Sequence, residues 1–135
     1  MALVTWSEKL SVGVKSIDDQ HTVLFSIIND LHAAMMKGQA RNVVGGLLKK
    51  LLDYTRNHFS AEEELMDKAQ YQGLSEHKML HRELTRQVEE LIARYEKGDL
   101  TVTTGLADFL TNWLTSHIQK VDQAYGPWLN SHGVH

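Results

Sequence analysis

The stretch LSEHKMLHRELTRQVEELIARYEK, residues 74–97, decides the fold. Leu74, His77, His81, Leu84, Val88, Leu91 and Tyr95 recur at alternating steps of three and four, which places them on one face of an α-helix. Two of these seam positions are histidines one turn apart, in His77-Lys78-Met79-Leu80-His81. The rhythm returns elsewhere in the chain. His21, Leu24, Ile28, Leu31 and Met35 make one seam, and Leu48, Leu51, Thr55, His58, Glu62 and Leu65 a second. Leu106, Leu110, Trp113, His117 and Val121 make the last. Alternating patterns of the strand type are scarce, and Pro127 is the one proline. The spacing predicts helices over 18–37, 41–66, 74–97 and 103–125.

Local signals support these boundaries. Gly38 and Gly98 each follow a lysine, as glycines do just past a helix end. Ser16 with Asp19 resembles a capping box for the first helix. Tyr71-Gln72-Gly73 separates the second helix from the third, Thr101 or Thr103 is placed to cap the fourth, and Gly126-Pro127 should end it. The chain then reads as a single domain over 1–135. It has an extended N-terminal arm (1–17), a bundle (18–125) and a C-terminal tail (126–135). Trp6, Val12, Val14 and Ile17 are available to pack the arm on the bundle. The fold class is all-α, an up-down-up-down antiparallel four-helix bundle, because short connections join amphipathic helices.

Composition narrows the function. Fourteen Lys and Arg against 17 Asp and Glu give a net charge of −3, which argues against a nucleic-acid binder. The absence of cysteine excludes disulfides, iron–sulfur clusters and thiolate zinc sites. No uncharged run approaches membrane-spanning length and the N-terminus lacks a signal-peptide pattern, so a cytoplasmic location is expected. The chain does hold eight histidines.

Topology gathers five of them. The starts of helices one and three and the ends of helices two and four lie at the same end of an up-down-up-down bundle. His21, His58, His77, His81 and His117 therefore meet in one layer of the core. Each ring brings two nitrogens that need partners, which packing alone explains poorly. Glu62, one turn after His58 on the same seam, adds a carboxylate that is costly to bury unpaired. Glu63 and Glu64 read as a solvated face. A metal centre satisfies the whole set. Imidazole and carboxylate donors without sulfur suit iron, zinc, copper or nickel. Five histidines exceed one tetrahedral site and suggest two ions. With two bridging carboxylates and one bridging oxygen, they leave one of about twelve octahedral positions open. Asp122 is five residues beyond His117, about 140° around an ideal helix, so spacing alone leaves its role undecided.

In chain order, His21, His58-Phe59-Ser60-Ala61-Glu62, His77-Lys78-Met79-Leu80-His81 and His117-Ile118-Gln119-Lys120-Val121-Asp122 resemble the ligand pattern of the hemerythrin family, in particular its bacterial branch, the bacteriohemerythrins. Val12-Gly13-Val14, Ile17-Asp18-Asp19-Gln20-His21, Trp113-Leu114 and Tyr125-Gly126-Pro127 extend the resemblance over roughly 4–128. It implies a non-haem di-iron centre that binds O₂ reversibly, for transport, storage or delivery. One iron would take His77, His81 and His117, and the other His21 and His58. Glu62, Asp122 and an oxo or hydroxo group would bridge them, and a helix distortion would bring Asp122 into place. By motif position Leu24, Phe59, Trp113, Leu114 and Ile118 would line a dry O₂ pocket.

An O₂ or redox sensor, a di-iron peroxidase or nitric-oxide-handling enzyme, iron storage and a di-zinc site are the competing readings. The chain lacks an inward Glu-x-x-His motif of the oxygenase type, which favours a binding protein over an enzyme. Dioxygen is the expected ligand, an O₂-consuming enzyme the possible recipient, and a monomer the expected state. Tyr54 and Tyr125 are candidates for hydrogen bonds behind the ligands. His32, His132 and His135 match no motif.

Overall fold

The computed structural model describes residues 5–38, 41–98 and 106–135. Helix α1 spans Lys15–Met36, α2 Arg41–Lys68, α3 Leu74–Glu96 and α4 Leu106–His117. A π-helical turn, Ile118–Asp122, joins α4 to a last helix, α5, over Gln123–Ser131. Among the described residues there is no strand. Helix α2 packs on α1 and α3, and α1 also packs on α4, so the helices close into a four-helix bundle around one apolar core. The Thr101 or Thr103 cap and the start of the fourth helix at 103 lie outside the described residues, as do residues 1–4 of the arm.

The seams sit inward, with a one-residue drift on each of α3 and α2. His77, His81, Leu84 and Val88 are buried, but the next buried residue on α3 is Ile92, not Leu91. On α2 Met66 takes the place of Leu65. Strict steps of three and four repeat every 3.5 residues, so a 3.6-residue helix drifts by about 20° every two turns and favours the next residue after about five turns.

Toward both termini the chain differs from expectation. Helix α1 starts at Lys15, with Val14 at the cap position and no side-chain cap, so Ser16 and Asp19 form no capping box. Asp18 instead faces the arm, accepting from Ser11 Oγ at 2.6 Å and from the Val12 N–H at 2.9 Å. The arm is less extended than expected, with a 3₁₀ turn at Glu8–Leu10, and Leu10, Val12 and Val14 are buried. Trp6 packs half-buried against the core.

At the other end, Gly126-Pro127 does not stop the chain, and the expected tail is helical to Ser131. A proline inside a helix costs about 3 kcal/mol. Leu129, wholly buried, offsets about 2 kcal/mol of that. Trp128 Nε1 donates to the Ala69 carbonyl at 2.7 Å and Asn130 Nδ2 to the Gly13 carbonyl at 3.0 Å, each worth about 1 kcal/mol. Tertiary docking therefore carries the helix past its breaker.

Candidate metal centre

Each helix contributes at the same end of the bundle. Helix α1 supplies His21 from its second turn, and α2 supplies His58 and Glu62 one turn apart. Helix α3 supplies His77 and His81, α4 ends on His117, and the π turn ends on Asp122. All seven side chains are buried, His117 the most exposed at 5% and Asp122 at 0%. The structure thus brings together every residue that the sequence motifs single out as a ligand.

The π turn accounts for Asp122. The backbone N–H of Gln123 bonds to the carbonyl of Ile118, five residues back instead of four. That wider ring absorbs the extra residue and stacks position i+5 over position i. Asp122 Oδ1 lies 3.0 Å from His117 Nε2 and 2.9 Å from His77 Nε2, and its Oδ2 lies 3.2 Å from His21 Nε2. Asp122 therefore touches histidines from three helices. Glu62 spans the centre from the other side. Its Oε1 is 2.7 Å from His58 Nε2 and 3.7 Å from His81 Nε2, and its Oε2 is 3.9 Å from His77 Nε2.

Two overlapping donor groups result. His77, His81, His117 and Asp122 converge within 4.8 Å of one another, and so do His21, His58, Glu62 and Asp122. The Nε2 atoms of all five histidines, Glu62 Oε1 and both Asp122 oxygens are buried and make no hydrogen bond. Eight such atoms in one place are untenable in a bare core. They fit two cations that share Asp122, with Glu62 across from it, and the all-nitrogen-and-oxygen donor set fits iron.

Electrostatics prepares the donors. Burial, with His77 and His117 nearby, pushes His81 down to about 2, so its ring is neutral and keeps a lone pair for a metal. Burial opposes the charge on Asp122, but His117, His21 and His77 outweigh it and hold the carboxyl well below its usual range. Burial, reinforced by Glu62 and Asp122, drives the Tyr125 phenol well above its usual value. Tyr125 stays protonated and donates to Glu62 Oε2 at 2.6 Å, leaving Oε1 facing the histidines.

Sequence reasoning missed two partners. Glu63 is not simply part of a solvated face, because its Oε2 lies 2.8 Å from His81 Nδ1. Only Glu64 behaves as expected, pairing with exposed Lys68 at 3.0 Å. Gln20 meets His58 Nδ1 through its amide oxygen at 2.5 Å. The signal available was chemical: a histidine that ligates through Nε2 needs an acceptor for Nδ1–H. Tyr54 is half-buried near Asp19. His32 is half-buried, His132 stacks on Trp128 at the surface and His135 is exposed.

Beside the centre lies a cavity of about 20 Å³, roughly the room of one small molecule. Leu24, Phe59, Trp113 and Leu114 line it, together with Ile28, Leu84 and Leu110. Ile118 is fully buried but belongs to the π turn and does not line this cavity. Phe59 stacks on His81, with ring centres 3.7 Å apart, and Trp113 on His117 at 4.5 Å.

Comparison with known proteins agrees with this geometry. Residues 12–129 match the family model described as the hemerythrin HHE cation binding domain. The chain is 36% identical over 132 residues to a bacteriohemerythrin of Stenotrophomonas maltophilia, covering 98% of this chain and 85% of that protein. It is also 36% identical to the bacteriohemerythrin of Methylococcus capsulatus (97% and 100% covered) and 31% identical to myohemerythrin-1 of Phascolopsis gouldii (89% of each). A wild-type hemerythrin crystal structure superposes with a TM-score of 0.89 at 36% identity, covering 95% of this chain and 98% of that one.

Proposed function

The chain belongs to the hemerythrin family and is a di-iron, dioxygen-binding protein; we propose that it binds dioxygen reversibly, as a carrier or store. The observation that supports this reading best is the pair of unequal donor groups beside a small apolar cavity. His77, His81 and His117 would hold one ion and His21 and His58 the other, with Glu62 and Asp122 across both. The second group is one imidazole short of the first, which leaves room there for an outside ligand. When bound, two ferrous ions would supply the two electrons that dioxygen takes up, and would recover them on its release.

The protein's own part is to hold the donors still and keep water out. Leu24, Phe59, Trp113 and Leu114 close the cavity with carbon surface, and a water there would find few of the two to four polar partners it needs. Tyr125 holds Glu62 in one orientation. No helix among the described residues is long and apolar enough to cross a membrane. In this reading the carrier is a cytoplasmic monomer that hands dioxygen to oxygen-consuming enzymes and performs no turnover itself. The consumption of each apolar seam in one core supports the monomer. The donor balance supports binding over oxygenation, since oxygenase-type sites use about four carboxylates and two Glu-x-x-His motifs.

The test is optical. The iron-loaded protein, reduced without oxygen and then exposed to it, should gain a visible charge-transfer band that vanishes when oxygen is removed. A colourless zinc protein, or one that oxidises at once and does not recover, would refute the reading.

A further inference from the structure

Behind the donor atoms, the two halves of the centre are backed unequally. In the three-histidine half, His81 turns Nδ1 to the Glu63 carboxylate at 2.8 Å. In the two-histidine half, His58 turns Nδ1 to the neutral amide oxygen of Gln20 at 2.5 Å, and the buried Nδ1 of His21 makes no hydrogen bond at all. Both acceptors require hydrogen on Nδ1, so both rings present the Nε2 lone pair inward.

The hold on His81 is two-sided. Phe59 and Glu63 stand one turn apart on α2, so they project from the same face. Phe59 lies flat against the His81 ring, with 2° between the planes, while Glu63 grips its edge. Stacking prevents the ring from tilting and the carboxylate prevents it from flipping. A carboxylate also polarises the N–H more strongly than an amide does, which makes the opposite nitrogen a better donor to a cation.

We infer that Glu63 is a positioning residue that makes the three-histidine half the tighter iron site, with Gln20 as its weaker, neutral counterpart in the two-histidine half. This rests on the di-iron reading above. Glu63 touches no metal-facing atom itself. It acts through His81.

The test is an anaerobic ferrous titration of the metal-free protein against a competing chelator, for the wild type, Glu63→Gln, Gln20→Glu and the double exchange. Glutamine at 63 keeps length and an acceptor oxygen and loses only the charge. Glu63→Gln should weaken one of the two irons by about 10–100-fold and leave the other. Gln20→Glu should tighten the weaker iron, and the double exchange should reverse the order of the two. The melting temperature of metal-free Glu63→Gln should stay at the wild-type value, and the Mössbauer spectrum of its loaded form should change for one iron only. Affinities within about twofold of wild type at both irons, or a fall in apoprotein melting temperature that accompanies the iron loss, would overturn the inference. A wild type that takes up no iron would instead sink the di-iron reading.

Discussion

Gly126 sits where α5 crosses the N-terminal arm, and a methyl group there has nowhere to go. A Cβ at this position would lie 2.2 Å from the Val12 carbonyl oxygen and 3.2 Å from its carbon. Both atoms are backbone, so no rotamer change relieves the clash, and Gly126→Ala must push the arm off the bundle or shift α5. The arm is held to α5 by Gln123 Nε2, which reaches the carbonyls of Lys9 at 2.7 Å and Ser11 at 3.2 Å, and by Asn130 Nδ2, which reaches that of Gly13 at 3.0 Å. Losing three such bonds costs about 3 kcal/mol. Exposing buried Val12 in part adds about 1 kcal/mol. Alanine returns about 1 kcal/mol over glycine inside a helix. The net expectation is about 3 kcal/mol of destabilisation, measured by urea unfolding of the metal-free protein. Gly46→Ala is the matched control: it lies within α2 with nothing within 4 Å of the added carbon, and should gain about 0.5–1 kcal/mol. Gly126→Ala should also loosen the neighbouring Tyr125–Glu62 bond and weaken iron binding. If both alanine variants unfold at the same denaturant concentration, the arm is not seated as described.

Three further perturbations probe the centre. His58→Ala or Glu62→Ala should bind one iron in place of two and lose reversible dioxygen binding; two irons and unchanged binding in both variants would refute the assignment, with metal analysis and the visible spectrum as readouts. Leu114→Ala should enlarge the apolar cavity, cost about 2–5 kcal/mol, and speed autoxidation by admitting water, so an unchanged autoxidation rate would remove Leu114 from the pocket. The metal-free protein should lose stability on acidification. His81 stays neutral in the fold down to about 2 but takes a proton at its ordinary 6.5 once unfolded, so its share is intact above pH 6.5 and falls by about 1.4 kcal/mol per unit below it. That amounts to about 2 kcal/mol at pH 5, and a flat urea midpoint between pH 7 and 5 would contradict it.

Periodicity is a property of one helix at a time, and it located the helices and the inward faces well. His21, His58, Glu62, His77, His81 and His117 all stand on seams, so their convergence follows once topology is added. The partners behind them do not stand on seams. Gln20 and Glu63 are each adjacent in sequence to a ligand, about 100° off the inward face, and single-helix reading assigns such positions to solvent. Their role exists only because α1 and α3 lie beside α2, which brings Gln20 to His58 and Glu63 to His81. The start of α1 departs from expectation for a related reason. Ser16 and Asp19 have capping-box spacing, but Asp18 is already engaged by Ser11 and Val12 of the arm, and the arm's docking sets where α1 begins.

The π turn is the least local feature and the most consequential. No glycine or proline between His117 and Asp122 marks it. An α-helix continued from His117 would turn Val121, Ala124 and Trp128 inward. The structure has Asp122, Tyr125 and Leu129 at 0% exposure, with Val121 and Trp128 half-buried and Ala124 exposed. One extra residue in one turn thus exchanges an apolar seam for another that carries a carboxylate and a phenol into the centre. The exchange is favoured only if the buried Asp122 is met, as it is, by His21, His77 and His117. Without those three rings the same turn would bury an unpaired charge at a cost of several kcal/mol, and the plain α register would win. The distortion therefore depends on the histidines that meet Asp122, two of them on other helices, which is why the segment's own sequence does not reveal it.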